Sequence, residues 1–127
     1  MTAPKRIILL VEDNEVNRDM LVRRLQRAGH QVATAADGET ALTAMRELQP
    51  AVVLMDMNLP VKDGWTACCE AKQDASIAEI PIIALTAHAM QEDKHRALQA
   101  GCSDYATKPV DFPDLLKKIA AQLDARH

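Results

Sequence analysis

The feature that most constrains the fold is a set of short, almost uninterrupted apolar runs that recur along the chain. They occupy residues 7–11, 32–35, 51–55 and 81–85. Because apolar residues follow one another instead of alternating with polar ones, each run predicts a strand that is buried on both faces. A weaker fifth strand is predicted over 104–107.

Longer segments with helical spacing of apolar residues lie between these runs. Helices are also predicted over 63–72, 90–99 and 111–123, and Gly29 is expected to end the first helix. Strands that alternate with helices five times indicate a doubly wound parallel α/β sheet of five strands with helices on both faces. The apolar stripes of the first two helices are Val16, Met20, Leu21, Leu25 and Ala28, then Ala41, Leu42, Met45 and Leu48.

Length and charge narrow the classes of function. The 127 residues fit one domain, and a formal charge of −3 with no basic run longer than a pair gives no support for nucleic-acid binding. The apolar run at 7–11 is too short for a membrane span or a signal peptide, so we expect no membrane association and a cytoplasmic protein. Cys68, Cys69 and Cys102 match neither a disulfide framework nor a zinc site, which favours packing roles.

Polar residues with related chemistry follow four of the five predicted strands. Glu12 and Asp13 come after the first strand, Asp56 after the third, Thr86 after the fourth and Lys108 after the fifth. The carboxyl ends of parallel strands form the ligand-binding edge of such a sheet. These five side chains are therefore expected to converge at one site.

Three carboxylates in one place require a cation between them. An oxygen-only ligand set favours Mg²⁺, with Mn²⁺ as a substitute, and Lys108 adds a positive charge suited to a phosphoryl oxygen. A carboxylate nucleophile, a metal, a lysine and a hydroxyl are the parts that phosphoryl transfer needs, and Asp56 is the expected nucleophile. Taken singly, each residue has a plainer role; Asp13, for example, could cap a helix that begins near Glu15.

At these residues the sequence resembles the receiver (CheY-like) domain of bacterial two-component response regulators, over essentially its whole length. The matching motifs are Val-Glu-Asp-Asn at 11–14, Met-Asp-Met-Asn-Leu-Pro at 55–60 leading to Asp-Gly at 63–64, Leu-Thr-Ala at 85–87 and Lys-Pro at 108–109. The resemblance implies a flavodoxin-like sheet with strand order 2-1-3-4-5. It also implies one receiver domain over 1–127 with no output domain.

The resemblance implies a role for each matching residue. Asn58 would offer a backbone carbonyl to the metal, Tyr105 would turn inward when Thr86 moves, and a cis Lys108–Pro109 peptide would aim the lysine into the site. Asn58 and His88 would tune hydrolysis of the acyl phosphate. The implied set is Asp56 as the phosphorylated aspartate, Glu12 and Asp13 with Asp56 as the acids for Mg²⁺, Thr86 as the switch hydroxyl and Lys108 as the phosphate-pairing lysine.

The implied partners are proteins. A histidine kinase or a histidine phosphotransfer protein would donate the phosphoryl group and dock near Asn14, Asn17, Arg18 and Leu21 on the first helix. A downstream target would bind the face made by helix 4, strand 5 and helix 5. Phosphorylation can alter this face because helix 4 has few apolar anchors beyond Met90, Ala97 and Leu98 and is therefore easily repositioned. Such a domain is no enzyme apart from its own phosphorylation and dephosphorylation.

Several readings stay open. We expect a stand-alone regulator or phosphorelay intermediate, and the alternative is a receiver domain from a hybrid histidine kinase. An aspartyl-phosphate phosphatase is a remote alternative, because the first strand lacks the Asp-x-Asp pattern and the chain lacks length for a cap. A flavin-binding module would need a Ser/Thr/Gly-rich loop after the first strand, which is absent.

Overall fold

Strands and helices alternate strictly in the computed structural model, which describes residues 7–59, 61–86, 91–108 and 110–125. The side chains of 91–94 and 125 lie outside that description. The elements in chain order are β1 (Ile7–Val11), α1 (Glu15–Arg27), β2 (Gln31–Ala35), α2 (Gly38–Leu48), β3 (Val52–Asp56), α3 (Gly64–Gln73), β4 (Ile82–Thr86), α4 (Gln91–Gln99), β5 (Asp104–Thr107) and α5 (Phe112–Ala125).

All five strands pair in parallel in the order β2-β1-β3-β4-β5. The predicted fold class and the weak fifth strand are therefore confirmed. Two strands extend one residue further than their apolar runs, because Asp56 pairs with Leu85 and Thr86 pairs with Thr107 in the ladders. Asp56 and Thr86 are thus the last residues of their strands and do not follow them.

Two apolar layers enclose the sheet. Ile8 and Leu10 of β1 pack with α1 and α5, whereas Leu9 and Val11 pack with α2, α3 and Ala97 of α4. Since alternate residues of a strand point to opposite faces, a continuous apolar run supplies both layers at once. The near-continuous apolar composition of the strands follows from this two-sided burial.

Side-chain caps fix where three helices begin. Asn14, Asp37 and Asp63 each accept a hydrogen bond from the backbone N–H three residues later, at 3.0, 2.7 and 2.7 Å. Asn14 therefore caps α1, and the plainer role considered for Asp13 is wrong. Gly29 follows α1 with a φ of +94°, as expected for the glycine that ends a helix.

Some predicted helix anchors are wrong. Val16 is 76% exposed and Met20 47% exposed, while Leu21 and Leu25 carry the buried stripe of α1. Leu48 and Leu98 are also exposed, so Ala97 is the one buried side chain among residues 95–99 of α4. Within the described ranges, no helix is long and apolar enough to cross a membrane.

Candidate functional site

The predicted site residues meet at the carboxyl edge of the sheet. Glu12 and Asp13 follow β1, Asp56 and Thr86 end β3 and β4, and Lys108 follows β5. β1 lies between β2 and β3, where the winding direction of the sheet changes. The backbone N–H of Lys108 donates to the carbonyl of Thr86 at 2.7 Å, which fixes the end of β5 against β4.

An acidic cluster occupies the centre of this edge. One carboxylate oxygen from each of Glu12, Asp13 and Asp56 lies within 4.8 Å of the others. Glu12 and Asp56 are buried, whereas Asp13 is exposed. A set of three hard oxygen donors open to solvent on one side has the composition of a divalent cation site.

Asp56 is held by two hydrogen bonds. Its Oδ2 accepts from Lys108 Nζ at 2.8 Å and its Oδ1 accepts from the N–H of Asn58 at 2.9 Å. Burial by itself raises the pKa of this carboxyl, but the neighbouring Glu12 carboxyl, the Lys108 ammonium and the Asn58 N–H outweigh it, and the pKa lies below its ordinary value. Asp56 is therefore an ionised carboxylate at neutral pH.

The pKa of Glu12 is shifted upward, in the opposite direction to that of Asp56. Burial, followed by closeness to the Asp56 carboxylate, raises the pKa of Glu12 to about 7, against a smaller attraction from Lys108. Its Oε1 lies 3.7 Å from Lys108 Nζ, and its Oε2 is buried without a hydrogen-bond partner among the described residues. A buried oxygen left without a partner fits a cation ligand, because such an atom otherwise adds a desolvation cost to the fold.

Thr86 and Tyr105, the residues of the predicted switch, lie on the neighbouring strands β4 and β5. Thr86 is buried at the end of β4, and Tyr105 of β5 is half-buried against the layer that contains Ala97. The Lys118 ammonium lies 5.0 Å from the centre of the Tyr105 ring and donates to the Tyr105 carbonyl. These contacts join β5 to α5 directly.

Three expectations fall outside the described residues. They are the hydrolysis-tuning role of His88, the anchoring of the fourth helix by Met90, and the cis peptide between Lys108 and Pro109. Asn58 lies within the description and is exposed beside Asp56.

Sequence reasoning missed two supporting residues of the site. Arg18 was assigned to a docking face, but its Nη1 donates to the carbonyl of Glu12 at 3.0 Å and holds the loop after β1. A Cβ atom on Gly64 would lie 2.5 Å from the Asp56 carbonyl oxygen, so only glycine lets α3 approach Asp56 so closely. The Asp-Gly pair at 63–64 was a visible signal for Gly64, but no sequence pattern pointed to the Arg18 contact.

The receiver class of signalling modules is defined by a five-stranded parallel sheet that carries an acidic cluster at its switch point. In this class a lysine binds the central aspartate of the cluster. The chain belongs to the Response regulator receiver domain family, whose model matches residues 8–120. It is a receiver domain of two-component signalling, which is generally a non-enzymatic module.

Curated relatives differ in how much of them the chain covers. The polar-differentiation response regulator DivK of Brucella anthropi is 34% identical over 116 residues, which are 91% of this chain and 94% of DivK. The DNA-binding dual master transcriptional regulator RpaA of Synechocystis sp. is also 34% identical over 116 residues, but the chain spans only 48% of its length. The chain thus matches both a protein of its own size and part of a longer one.

Solved structures agree with the fold. One is the receiver domain of sensor histidine kinase PA1611 from Pseudomonas aeruginosa, which has a magnesium ion in its active-site cleft. It is 38% identical to this chain with a TM-score of 0.87, and the match covers 94% of this chain and 98% of that one. The receiver domain of Ssk1 from Saccharomyces cerevisiae, in complex with the histidine phosphotransfer protein Ypd1, is 35% identical with a TM-score of 0.82, covering 94% and 89%.

Proposed function

We propose that this receiver domain accepts a phosphoryl group from a phosphohistidine donor onto Asp56 in a Mg²⁺-dependent reaction, and that the modification switches a protein-binding face. The observation that carries the proposal is the acidic cluster of Glu12, Asp13 and Asp56 with Lys108 bound to the central aspartate. In this proposal residues 1–127 act as one receiver domain.

Asp56 is suited to be the nucleophile because it is ionised and held in place. The hydrogen bonds from Lys108 and from the N–H of Asn58 restrict the orientation of its carboxylate. As an Asp56 oxygen forms its bond to phosphorus, the bond from phosphorus to the donor imidazole nitrogen breaks and the imidazole takes up a proton. Lys108, already at the carboxylate, is placed to pair with the arriving phosphoryl oxygens.

The chain's own ligands fit a divalent cation. Glu12, Asp13 and Asp56 would hold Mg²⁺, or Mn²⁺ in its place, and the carbonyl of Asn58 would add a neutral oxygen. The partnerless Oε2 of Glu12 supports this assignment. When bound, the cation supplies positive charge that neutralises the transferring phosphoryl group.

The switch would begin at Thr86 and reach Tyr105. Thr86 is buried at the end of β4, one strand away from Asp56, and its hydroxyl would turn to a phosphoryl oxygen. Tyr105 would then fill the vacated space and alter the face formed by α4, β5 and α5, through which a downstream protein binds. Asn58 and His88 would set the rate of hydrolysis by positioning or excluding water.

The phosphodonor would be a histidine kinase or a histidine phosphotransfer protein that docks on α1. Of the docking residues that the resemblance implies, Leu21 is buried, Asn14 caps the helix and Arg18 donates to the Glu12 backbone carbonyl. Val16 and Met20 of the same helix are exposed, and Met20 lines, together with Asn17 and Glu12, a cavity at the edge of the acidic cluster. The complex of Ssk1 with Ypd1 supports a phosphotransfer protein as partner.

Two contexts fit this function. A stand-alone regulator or phosphorelay intermediate is favoured by coverage of 94% of DivK. A receiver within a hybrid kinase is the second candidate, supported by 38% identity to the PA1611 receiver domain.

The test is incubation with acetyl phosphate and Mg²⁺ followed by intact mass measurement. Wild type and the control Asp19→Asn, an exposed acid on α1, should each gain one phosphoryl group. Asp56→Asn should gain none, and EDTA should prevent the gain in wild type. Labelling retained by Asp56→Asn would refute Asp56 as acceptor.

A further inference from the structure

Two cysteines that play no part in the phosphoryl chemistry lie in contact inside the protein. Cys68 of α3 and Cys102, in the turn between α4 and β5, have their Sγ atoms 3.2 Å apart. Both are buried, while the neighbouring Cys69 is exposed. The two sulfurs need to approach by about 1 Å to reach the bond length of a disulfide, which is near 2.05 Å.

The surroundings of the pair favour reaction over simple packing. The hydrogen bond from the Cys102 thiol lowers the pKa of Cys68, and the Lys72 ammonium adds a smaller attraction against the effect of burial. The pKa of Cys102 is raised by the same hydrogen bond and by burial. Of the two thiols, Cys68 therefore has the greater thiolate character.

The turn that holds Cys102 follows a helix with few apolar anchors, which favours local opening. The Cys102 N–H donates to the carbonyl of Ala97 at 3.0 Å, and Gly101 beside it has a φ of +100°. Ala97 is the one buried side chain of residues 95–99, so little apolar surface holds this end of α4. A small oxidant can reach the pair through such local opening.

We propose that Cys68 and Cys102 form a reversible disulfide when the protein reacts with hydrogen peroxide. The Cys68 sulfur attacks a peroxide oxygen, the O–O bond breaks, and Cys68 sulfenic acid and water result. The Cys102 sulfur then attacks the Cys68 sulfur, and the oxygen of the sulfenic acid leaves as water together with the Cys102 proton. Two thiols are oxidised, one peroxide is reduced to two waters, and the new S–S bond joins α3 to the turn after α4.

This link has a consequence that rests on the proposed function. The turn at Cys102 connects α4 to β5, two parts of the face that phosphorylation is proposed to alter. A covalent tie from this turn to α3 would restrict their movement. Oxidation would therefore weaken the response of this face to phosphorylation.

The first experiment measures the disulfide without any phosphorylation. In a Cys69→Ser variant, peroxide should make both remaining thiols resistant to alkylation after unfolding, with a mass loss of two hydrogens that dithiothreitol reverses. Adding Cys68→Ala or Cys102→Ala should abolish this intramolecular product. The peroxide dose is one that oxidises Cys69 in wild type. If both thiols of the Cys69→Ser variant can still be alkylated after that dose, the proposal is overturned. A gain of oxygen mass in place of the loss of two hydrogens would overturn it as well.

The second experiment measures the consequence. Amide exchange over residues 97–107 is compared in the oxidised and reduced Cys69→Ser variant, with and without the phosphoryl mimic beryllofluoride. The reduced form should respond and the oxidised form should respond several-fold less. Equal responses would refute the tether, whereas no response in the reduced form would refute the proposed switch and leave the disulfide result standing.

Discussion

Replacing Glu12 with Gln should stabilise the metal-free protein at neutral and higher pH. Glu12 is 2% exposed, and the Asp13, Asp56, Asn17 and Lys108 side chains surround its carboxyl group. Burial and the Asp56 carboxylate disfavour its ionised form, and they raise its pKa from 4.5 to about 7. A glutamine has nearly the same shape and carries no charge at any pH in this range.

The size of the effect follows from this difference in pKa. The unfolded chain ionises Glu12 near pH 4.5, but the folded protein resists until about pH 7. Each pH unit between the two values lowers the free energy of unfolding by about 1.4 kcal/mol, so the loss approaches about 3 kcal/mol above pH 7. The stability that the folded protein has with Glu12 protonated is fully present below pH 4.5 and is lost as pH rises through 7. The pKa of Asp56 is lowered from 3.8, so this residue titrates below the range from pH 4.5 to 7. It therefore does not change the direction in which the free energy of unfolding varies over that range.

Urea unfolding in EDTA at half-unit steps from pH 5 to 8 measures the effect. The free energy of unfolding of wild type should fall relative to Glu12→Gln, and the gap should widen from about 1 kcal/mol at pH 5 to about 3 kcal/mol at pH 8. Glu47→Gln, a change of an exposed glutamate on α2, should give a curve parallel to wild type. Parallel curves for wild type and Glu12→Gln would show that the folded and unfolded states bind the Glu12 proton equally.

Two further substitutions test the packing that supports the site. Gly64→Ala should lower the free energy of unfolding by about 1–3 kcal/mol and slow labelling by acetyl phosphate, because the new Cβ meets the Asp56 carbonyl at 2.5 Å. Unchanged stability and labelling would contradict the close approach of α3. Leu25→Ala, which empties a fully buried position of α1, should cost about 2–5 kcal/mol in urea unfolding. Val16→Ala on the same helix should change stability by less than about 0.5 kcal/mol, and an equal loss for the two would contradict the assigned buried face.

The sheet and the site could be predicted because one pattern determines both. A run such as Ile7–Val11 is apolar at every position, and only a strand covered on both faces buries all of it. Once the strands are parallel, their carboxyl ends must share an edge, which brings Glu12, Asp56 and Lys108 together. The convergence of these residues therefore follows from strand positions, without knowledge of any side-chain contact.

The face that α1 buries could not be chosen from its apolar residues alone. At about 100° per residue, Val16 and Met20 lie on one side of the helix, and Leu21 and Leu25 lie about 140° further round. Only one of these pairs can face the sheet, and the structure buries the leucines. The Arg18 bond to the Glu12 carbonyl fixes this rotation, but such a contact leaves no periodic signal.

The electrostatics of the site explain why Asp56 is ionised before any cation binds. Lys108 lies 2.8 Å from Asp56 Oδ2 but 3.7 Å from Glu12 Oε1, so the lysine stabilises Asp56 as a carboxylate more strongly than it stabilises Glu12. The proton that relieves the crowding of acids consequently resides on Glu12, whose pKa is about 7, and not on Asp56. Cation binding would then have to displace a proton from Glu12, while the charge of Asp56 stays constant. The proposed acceptor is therefore a different residue from the group that titrates at neutral pH, so a buried aspartate can stay ionised while Glu12 takes up or releases a proton.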